Sequence, residues 1–340
     1  MWRHNIYSGD VLKVSDIGEV KLINKLFSIM GGPGGITGFD DVVAVKTDRV
    51  AVVVKTDSFV ESADRLPGMP PEAIGHKTVV MNVSDFAAKG VKPMGMLVSL
   101  AVPPDTDVGF LEIIYKGMVK AAASYGFRVM GGDTSTSREL ILAGFLFGVQ
   151  KPDLIVQRRG AKTGDIVATT GFFGDTACAY MILLKHMSPG DQVLERRLVN
   201  HAYFPEARLK EGLALASHRL ASAAIDCSDG LAVTLHQLAE ASCVGILIDN
   251  VPVSPDAKKY AEYYGLDPVE LALYRGGEEF ELVVTIPEEK WYEACKVVES
   301  VGGRLLRLGR VVSRIGVFIN MDGEEKPVKL KGWEHFKGWV

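Results

Sequence analysis

Val50-Ala-Val-Val-Val54 and Met94-Gly-Met-Leu-Val-Ser-Leu100 are apolar runs bounded by polar or proline residues, and Pro71 to Lys89 lies between them. The two runs read as strands. The stretch between them reads as a helix, because Pro71 and Glu72 suit a first turn and Gly90 suits a stop. A second helix is predicted from Asp107 to Tyr125, ending at Gly126. Strands alternating with helices define an α/β fold. Gln150 to Gly160 carries a proline and several charges after the apolar run Leu140 to Val149, which places a domain boundary near residue 150. Beyond it, Asp165 to Thr170, Ala223 to Asp226 and Phe280 to Ile286 read as strands. Asp175 to His186, Pro205 to Ala216, Ser228 to Ser242 and Glu288 to Val301 read as helices, and Asp322-Gly323 as a hairpin turn. Two α/β domains are expected, residues 1–150 and 151–340.

Composition narrows the function classes. Of 340 residues, 47% are hydrophobic and 24% charged, which is enough apolar surface to close a core and excludes global disorder. Lys and Arg number 38 against 42 Asp and Glu, so no basic field awaits nucleic acid. Cys178, Cys227, Cys243 and Cys295 form no CxxC pair, which argues against a zinc site or a disulfide scaffold and fits a reducing compartment. Met1 to Asp10 lacks the pattern of a signal peptide, and Leu140 to Val149 is too short to cross a bilayer. A soluble, cytoplasmic protein with no membrane partner is expected. No repeat recurs at solenoid or propeller periods.

The chemistry is sought in the aspartates. Asp40 and Asp41 follow a glycine-rich run, Asp57 follows a valine strand, Asp85 lies in a helix of small residues, Asp133 follows Gly131-Gly132, and Asp226 and Asp229 lie where the short strand from Ala223 feeds the helix from Ser228. Carboxylates beside apolar sequence need a cation or strong donors. Magnesium takes one or two carboxylates together with substrate phosphates, so scattered acids of this kind point to several ions on a phosphate ligand. Taken singly, Asp57, Asp226 and Asp229 read more readily as turn formers or helix caps than as ligands. Gly131-Gly-Asp-Thr-Ser135 allows a backbone to approach a phosphate, with a tight turn as the rival reading. Gly276-Gly-Glu-Glu-Phe-Glu-Leu282 places three acids around a turn into a strand, beyond what a structural turn needs, although a charged edge strand would look similar. Gly31 to Gly35 fails the dinucleotide fingerprint, with Thr37 where the third glycine belongs, and no phosphate-loop, protein-kinase or HExxH string occurs. Cys178 has no local activating base.

Taken in order, the strings Gly38-Phe-Asp-Asp41, Thr56-Asp57, Gly75-His-Lys77, Asn82-Val-Ser-Asp-Phe-Ala-Ala88, Gly131-Gly-Asp-Thr134, Gly160-Ala-Lys-Thr-Gly-Asp165, Asp226-Cys-Ser-Asp-Gly-Leu231, Gly276-Gly-Glu278 and Lys331-Gly-Trp-Glu-His-Phe336 resemble the thiamine-monophosphate kinase family. Its superfamily includes aminoimidazole ribonucleotide synthetase and selenophosphate synthetase. The resemblance implies an N-terminal α/β domain whose strands form a barrel across a homodimer, a C-terminal α/β domain beside it, and ATP between them. It implies that Asp41, Thr56, Asp57, Asp85, Asp133, Asp226 and Asp229 hold several Mg²⁺ ions, with Lys55 where the family can offer another oxygen. Asp41, Asp57, Asp133 and Asp229 would form the catalytic centre. Gly132, Asp133, Arg158 and Ser228 would contact ATP. Glu278 and Trp333 would meet the thiamine moiety, where an acid and an aromatic face suit a cationic thiazolium. Where the family has a substrate-facing histidine and a phenylalanine, this chain reads Glu61-Ser-Ala-Asp64-Arg65, so Asp64 stands at an acceptor position. The family's Glu-Asp-Tyr-Glu appears as Glu278-Glu279-Phe280-Glu281, and a proline-rich segment as Phe204-Pro-Glu-Ala-Arg208.

The implied reaction is Mg²⁺-dependent, in-line transfer of a phosphoryl group from ATP to thiamine monophosphate, forming thiamine diphosphate. Independently of any name, a phosphate monoester with a second pKa near ~6 is already a nucleophile at neutral pH. Many aspartates and no catalytic histidine therefore agree with transfer to a phosphate, where charge repulsion is the obstacle. Two other readings stay open. One keeps the fold and changes the acceptor, although Cys178 is the first cysteine, against a selenophosphate synthetase, and Gly-Trp-Val340 ends the chain, against a maturation protein ending in cysteine. The other is a nucleotide-binding scaffold without turnover.

Overall fold

The computed structural model describes residues 12–321 and 323–339. The leader reading at Met1 to Asp10 and the turn residue Asp322 lie outside the described residues. The first half comprises α1 (Val14–Met30), β1 (Val43–Lys46), β2 (Ala51–Val60), α2 (Glu61–Asp64), α3 (Pro71–Lys89), β3 (Pro93–Val102), α4 (Val108–Ser124), β4 (Val129–Thr136) and β5 (Ile141–Gln150). Its five strands run in the order β1-β2-β5-β3-β4. Only β3 and β4 pair in parallel. The valine-rich run extends further than the sequence predicts, so Asp57 sits inside β2 rather than at its end. Gly131-Gly132-Asp133 lies within strand β4, not in a tight turn.

Helix α3 occupies Pro71 to Lys89 as predicted, and α4 starts where the Asp107 carboxylate accepts the Gly109 N–H at 3.1 Å. The two helices pack closely because Gly75 has no side chain: a Cβ there would lie 1.9 Å from the Ile114 carbonyl oxygen. Helix α3 is buried from Ala73 to Lys89 with the single exception of His76. Side chains alternate along the sheet, as a strand's period of two demands. Ala51, Val53, Phe59, Leu142 and Leu146 face the helices, whereas Val52, Leu97, Phe145 and Val149 are exposed on the other face. The sheet is open, and no closed barrel forms among the described residues.

The second half comprises β6 (Ile166–Thr169), α5 (Asp175–Lys185), α6 (Gln192–Tyr203), α7 (Leu209–Ser217), β7 (Ala223–Asp226), α8 (Leu231–Ser242), β8 (Gly245–Ile248), α9 (Pro255–Tyr264), α10 (Pro268–Tyr274), β9 (Leu282–Ile286), α11 (Trp291–Ser300), β10 (Leu306–Val312), β11 (Gly316–Met321), β12 (Glu324–Pro327), β13 (Trp333–Glu334) and β14 (Gly338–Trp339). Seven strands run in the order β12-β11-β8-β10-β6-β9-β7, and β13 pairs with β14 alone. Met321 pairs with Glu324 across the predicted hairpin. Pro205 to Arg208 precede α7 rather than opening it.

Every residue of β6, β7 and β9 is buried, because the sheet is covered on both faces. Ala168, Ala224 and Val284 join the core that includes Phe86 and Leu215, while Val167, Ile225 and Val283 join a second core with Leu235 and Tyr260. The first core thus runs continuously from the five-stranded sheet through α3 into the second half. No helix among the described residues is long and apolar enough to cross a membrane.

Candidate active site

Three carboxylates converge where α3 meets both sheets. Asp41 ends the glycine-rich loop before β1, Asp85 lies in α3, and Asp226 closes β7; one oxygen from each lies within 4.8 Å of the others, and all three residues are buried. Asp41 carries its own cations. Lys89 Nζ lies 2.6 Å from Asp40 and 2.8 Å from Asp41, and Arg158 pairs with Asp41 through its guanidinium. The Arg158 amide also donates to Asp40 at 2.9 Å. Lys55 reaches Asp85 at 3.0 Å from the neighbouring strand β2. Asp226 accepts only a hydroxyl, that of Ser84, at 2.7 Å among the described residues.

The balance of charge sets the carboxyl pKa values. Burial would raise Asp41, but Lys89 and Arg158 outweigh it and hold the carboxyl well below the usual range. Burial raises Asp85 well above its ordinary value against the pull of Lys55, with Asp226 and Asp41 adding to the rise. Asp226 is pushed up to about 6 by burial and by Asp41. Asp229 is pushed up to about 7 by burial, with Glu19 and Asp226 contributing. Buried carboxylates crowded together with too few cations form a donor set for a hard cation, which prefers oxygen ligands. Asp41, Asp85 and Asp226 could hold such an ion, with Asp57 and Asp229 beside them.

A second cluster lies along the same helix. Lys77, 1% exposed, places its ammonium 2.6 and 2.7 Å from the two oxygens of Glu278 and 3.2 Å from the Asp64 carbonyl. Tyr180 donates to Glu278 at 2.8 Å. Asp64 caps its own turn by accepting the Val60 N–H at 2.6 Å, and burial raises its carboxyl. The two clusters are joined through the 227–230 turn. The Glu278 N–H donates to the Ser228 carbonyl at 2.6 Å, and the Trp333 N–H donates to the Asp229 carbonyl at 3.1 Å. Gly230, at φ 106°, allows this, since a Cβ there would lie 2.4 Å from the Gly276 oxygen.

The three acids after Gly277 separate by partner. Glu278 faces Lys77 and Tyr180. Glu279 accepts from the Gly174 N–H and the Thr176 hydroxyl at 2.8 and 2.9 Å and meets His201 at 2.9 Å. Glu281 takes a two-pronged grip from Arg208, at 2.9 and 2.5 Å, and a hydroxyl from Thr170 at 2.6 Å. Only the first of the three joins the Lys77 cluster among the described residues.

The remaining predicted residues do not all join the cluster. Thr56 is paired in register with exposed Phe145 and lies on the open face of the first sheet. Gly132 and Asp133 are exposed on edge strand β4, where Asp133 pairs in register with Ser99. Ser228 is exposed in the turn beside Asp229. Lys77, Lys89, Asp40 and Tyr180 carry no assigned role in the sequence reading, although they complete the two clusters. Lys77 and Lys89, set among the small and apolar residues that make up most of α3, were the available signal for the two lysines.

The fold and its acid-lined junction define an AIR synthase related protein: the sequence model of that family's N-terminal domain matches residues 39–150 and that of its C-terminal domain residues 164–321. The chain is 36% identical over 301 residues to the thiamine-monophosphate kinase of Pyrococcus horikoshii, covering 88% of this chain and 91% of that protein. It is 33% identical to the thiamine-monophosphate kinase of Aquifex aeolicus, covering 96% and 100%. A solved structure of AaThiL complexed with AMPPCP and TMP superposes with a TM-score of 0.84 at 32% identity, covering 96% of this chain and 100% of that one. The chain belongs to the thiamine-monophosphate kinase family.

Proposed function

We propose that the protein transfers the γ-phosphoryl group of ATP to thiamine monophosphate, in line and with Mg²⁺, forming thiamine diphosphate. The observation that carries this reading is the pairing of two clusters across one turn: three buried carboxylates within 4.8 Å of one another at one end, and Glu278 with Trp333 at the other. Relatives named for this activity, and the binding of AMPPCP and TMP by a relative, support it. Asp41, Asp57, Asp85, Asp226 and Asp229 would hold Mg²⁺, which when bound offsets the negative charge of the polyphosphate. Lys89 and Ser84 hold Asp41 and Asp226 in place before any ligand arrives. Arg158 would contact the phosphates, with Ser228 beside the nucleotide. Glu278, Trp333 and Asp64 would take the cationic acceptor, whose own phosphate needs no general base.

Val52, Leu97, Phe145 and Val149 leave an apolar face uncovered, and a second copy of the chain would cover it to form the barrel of a cytoplasmic homodimer. Thr56, Gly132 and Asp133, on or beside that face, would then serve as metal and nucleotide contacts in the assembled dimer. Residues 1–150 and 151–340 would be the two domains, each with its own sheet. The test is incubation with MgATP and thiamine monophosphate and chromatography for thiamine diphosphate. Product from the wild type and none from Asp226→Asn supports the reading; ATP binding without product from the wild type overturns the acceptor.

A further inference from the structure

Glu278 and Phe280 both hold left-handed backbone, at φ 57° and 51°, and neither is glycine. Such conformations persist only where the surroundings over-determine them. Three anchors do so here. Phe280 is 2% exposed in the core, Glu281 is gripped by Arg208, and Glu279, 3% exposed, lies between the two left-handed residues. The two oxygens of Glu279 are served unequally. Oε1 accepts from the Gly174 N–H, the Thr176 N–H and the Thr176 hydroxyl, at 2.8, 3.3 and 2.9 Å. Among the described residues, Oε2 has His201 Nε2 at 2.9 Å as its partner. His201 lies on α6, contacts none of the acids around Asp226, and keeps 30% of its side chain exposed.

We propose that His201, acting through Glu279, is a positioning residue that holds Glu278 in the orientation that receives the acceptor. The proposal rests on the reading that Glu278 takes the cationic acceptor. Without His201, a buried carboxylate oxygen loses its partner and the segment loses one of the contacts that fix its rotation. Glu278 is then held less firmly against Lys77 and Tyr180.

The test compares His201→Ala with His201→Gln, whose amide can still donate to Glu279. In His201→Ala the KM for thiamine monophosphate should rise about tenfold, the scale of one charge-assisted hydrogen bond, while kcat and the KM for ATP stay within about twofold. His201→Gln should recover most of the loss. A merely structural contact would lower the folded fraction, and so the apparent kcat, without moving one KM alone. An unchanged KM for thiamine monophosphate, or an equal rise in both KM values, overturns the proposal. If the wild type does not phosphorylate thiamine monophosphate, the functional reading falls, and the crystal structure of His201→Ala decides this one separately. Glu278 withdrawn from Lys77 and Tyr180 supports it, and both contacts retained overturn it.

Discussion

The acids around Asp226 and the acids around Glu279 are both buried, and they differ in what answers them. Glu279 and Glu281 meet backbone N–H groups, hydroxyls, a histidine and an arginine, so protein atoms satisfy almost every oxygen. Asp41 and Asp85 have cations of their own, yet among the described residues Asp226 has a single hydroxyl and Asp229 stands beside it with a raised pKa. A matched carboxylate holds a fold together; an unmatched one beside others holds a place for a cation.

The largest expected effect breaks the unmatched group. Asp226→Asn should lower turnover by about a hundredfold or more while leaving the melting temperature unchanged or higher, because it relieves like-charge crowding. A variant retaining most of its turnover would remove the functional meaning of the cluster. Arg208→Met should do the reverse, costing about 3 kcal/mol in denaturant unfolding, since it strands Glu281, 1% exposed, without its cation. Mg²⁺ should raise wild-type stability by about 2.7 kcal/mol at a hundred times its Kd, and chelation should abolish the gain. The same titration on Asp226→Asn should give a much smaller shift, and an equal shift would place the ion elsewhere. A further prediction concerns pH. Burial alone would lower the pKa of His201, but its bond to Glu279 outweighs this and raises it from 6.5 to about 9. A raised folded-state pKa contributes stability that is complete below about 6.5 and is lost as pH rises through about 9. Unfolding titrations of wild type and His201→Gln should therefore converge above that range; parallel curves would sink the assignment.

Much of this contrast was legible in the chain. The order of motifs led to Asp41, Asp85 and Asp226, and the proline and glycine bounding α3 fixed its ends to the residue. The three acids after Gly277 could not be sorted by sequence, since the partners of Glu279 and Glu281 lie 73 to 111 residues away. Lys89 escaped notice for the same reason: a lysine in a last helical turn usually reaches solvent, and this one is buried because Asp40, Asp41 and the Ala224 carbonyl surround its ammonium. Helix α1 carries no strong apolar stripe, being exposed along most of its length, so periodicity gave no signal there.

The partnership of Lys77 with Glu278 spans 201 residues, and it orders events during synthesis. When α3 leaves the ribosome, the Lys77 ammonium is without its Glu278 partner until another 201 residues have been made. At typical translation rates that wait lasts about 10 to 40 s. The newborn first half must pass through it with one buried ammonium of its central helix still unmatched by Glu278, which only the last third of the polypeptide supplies.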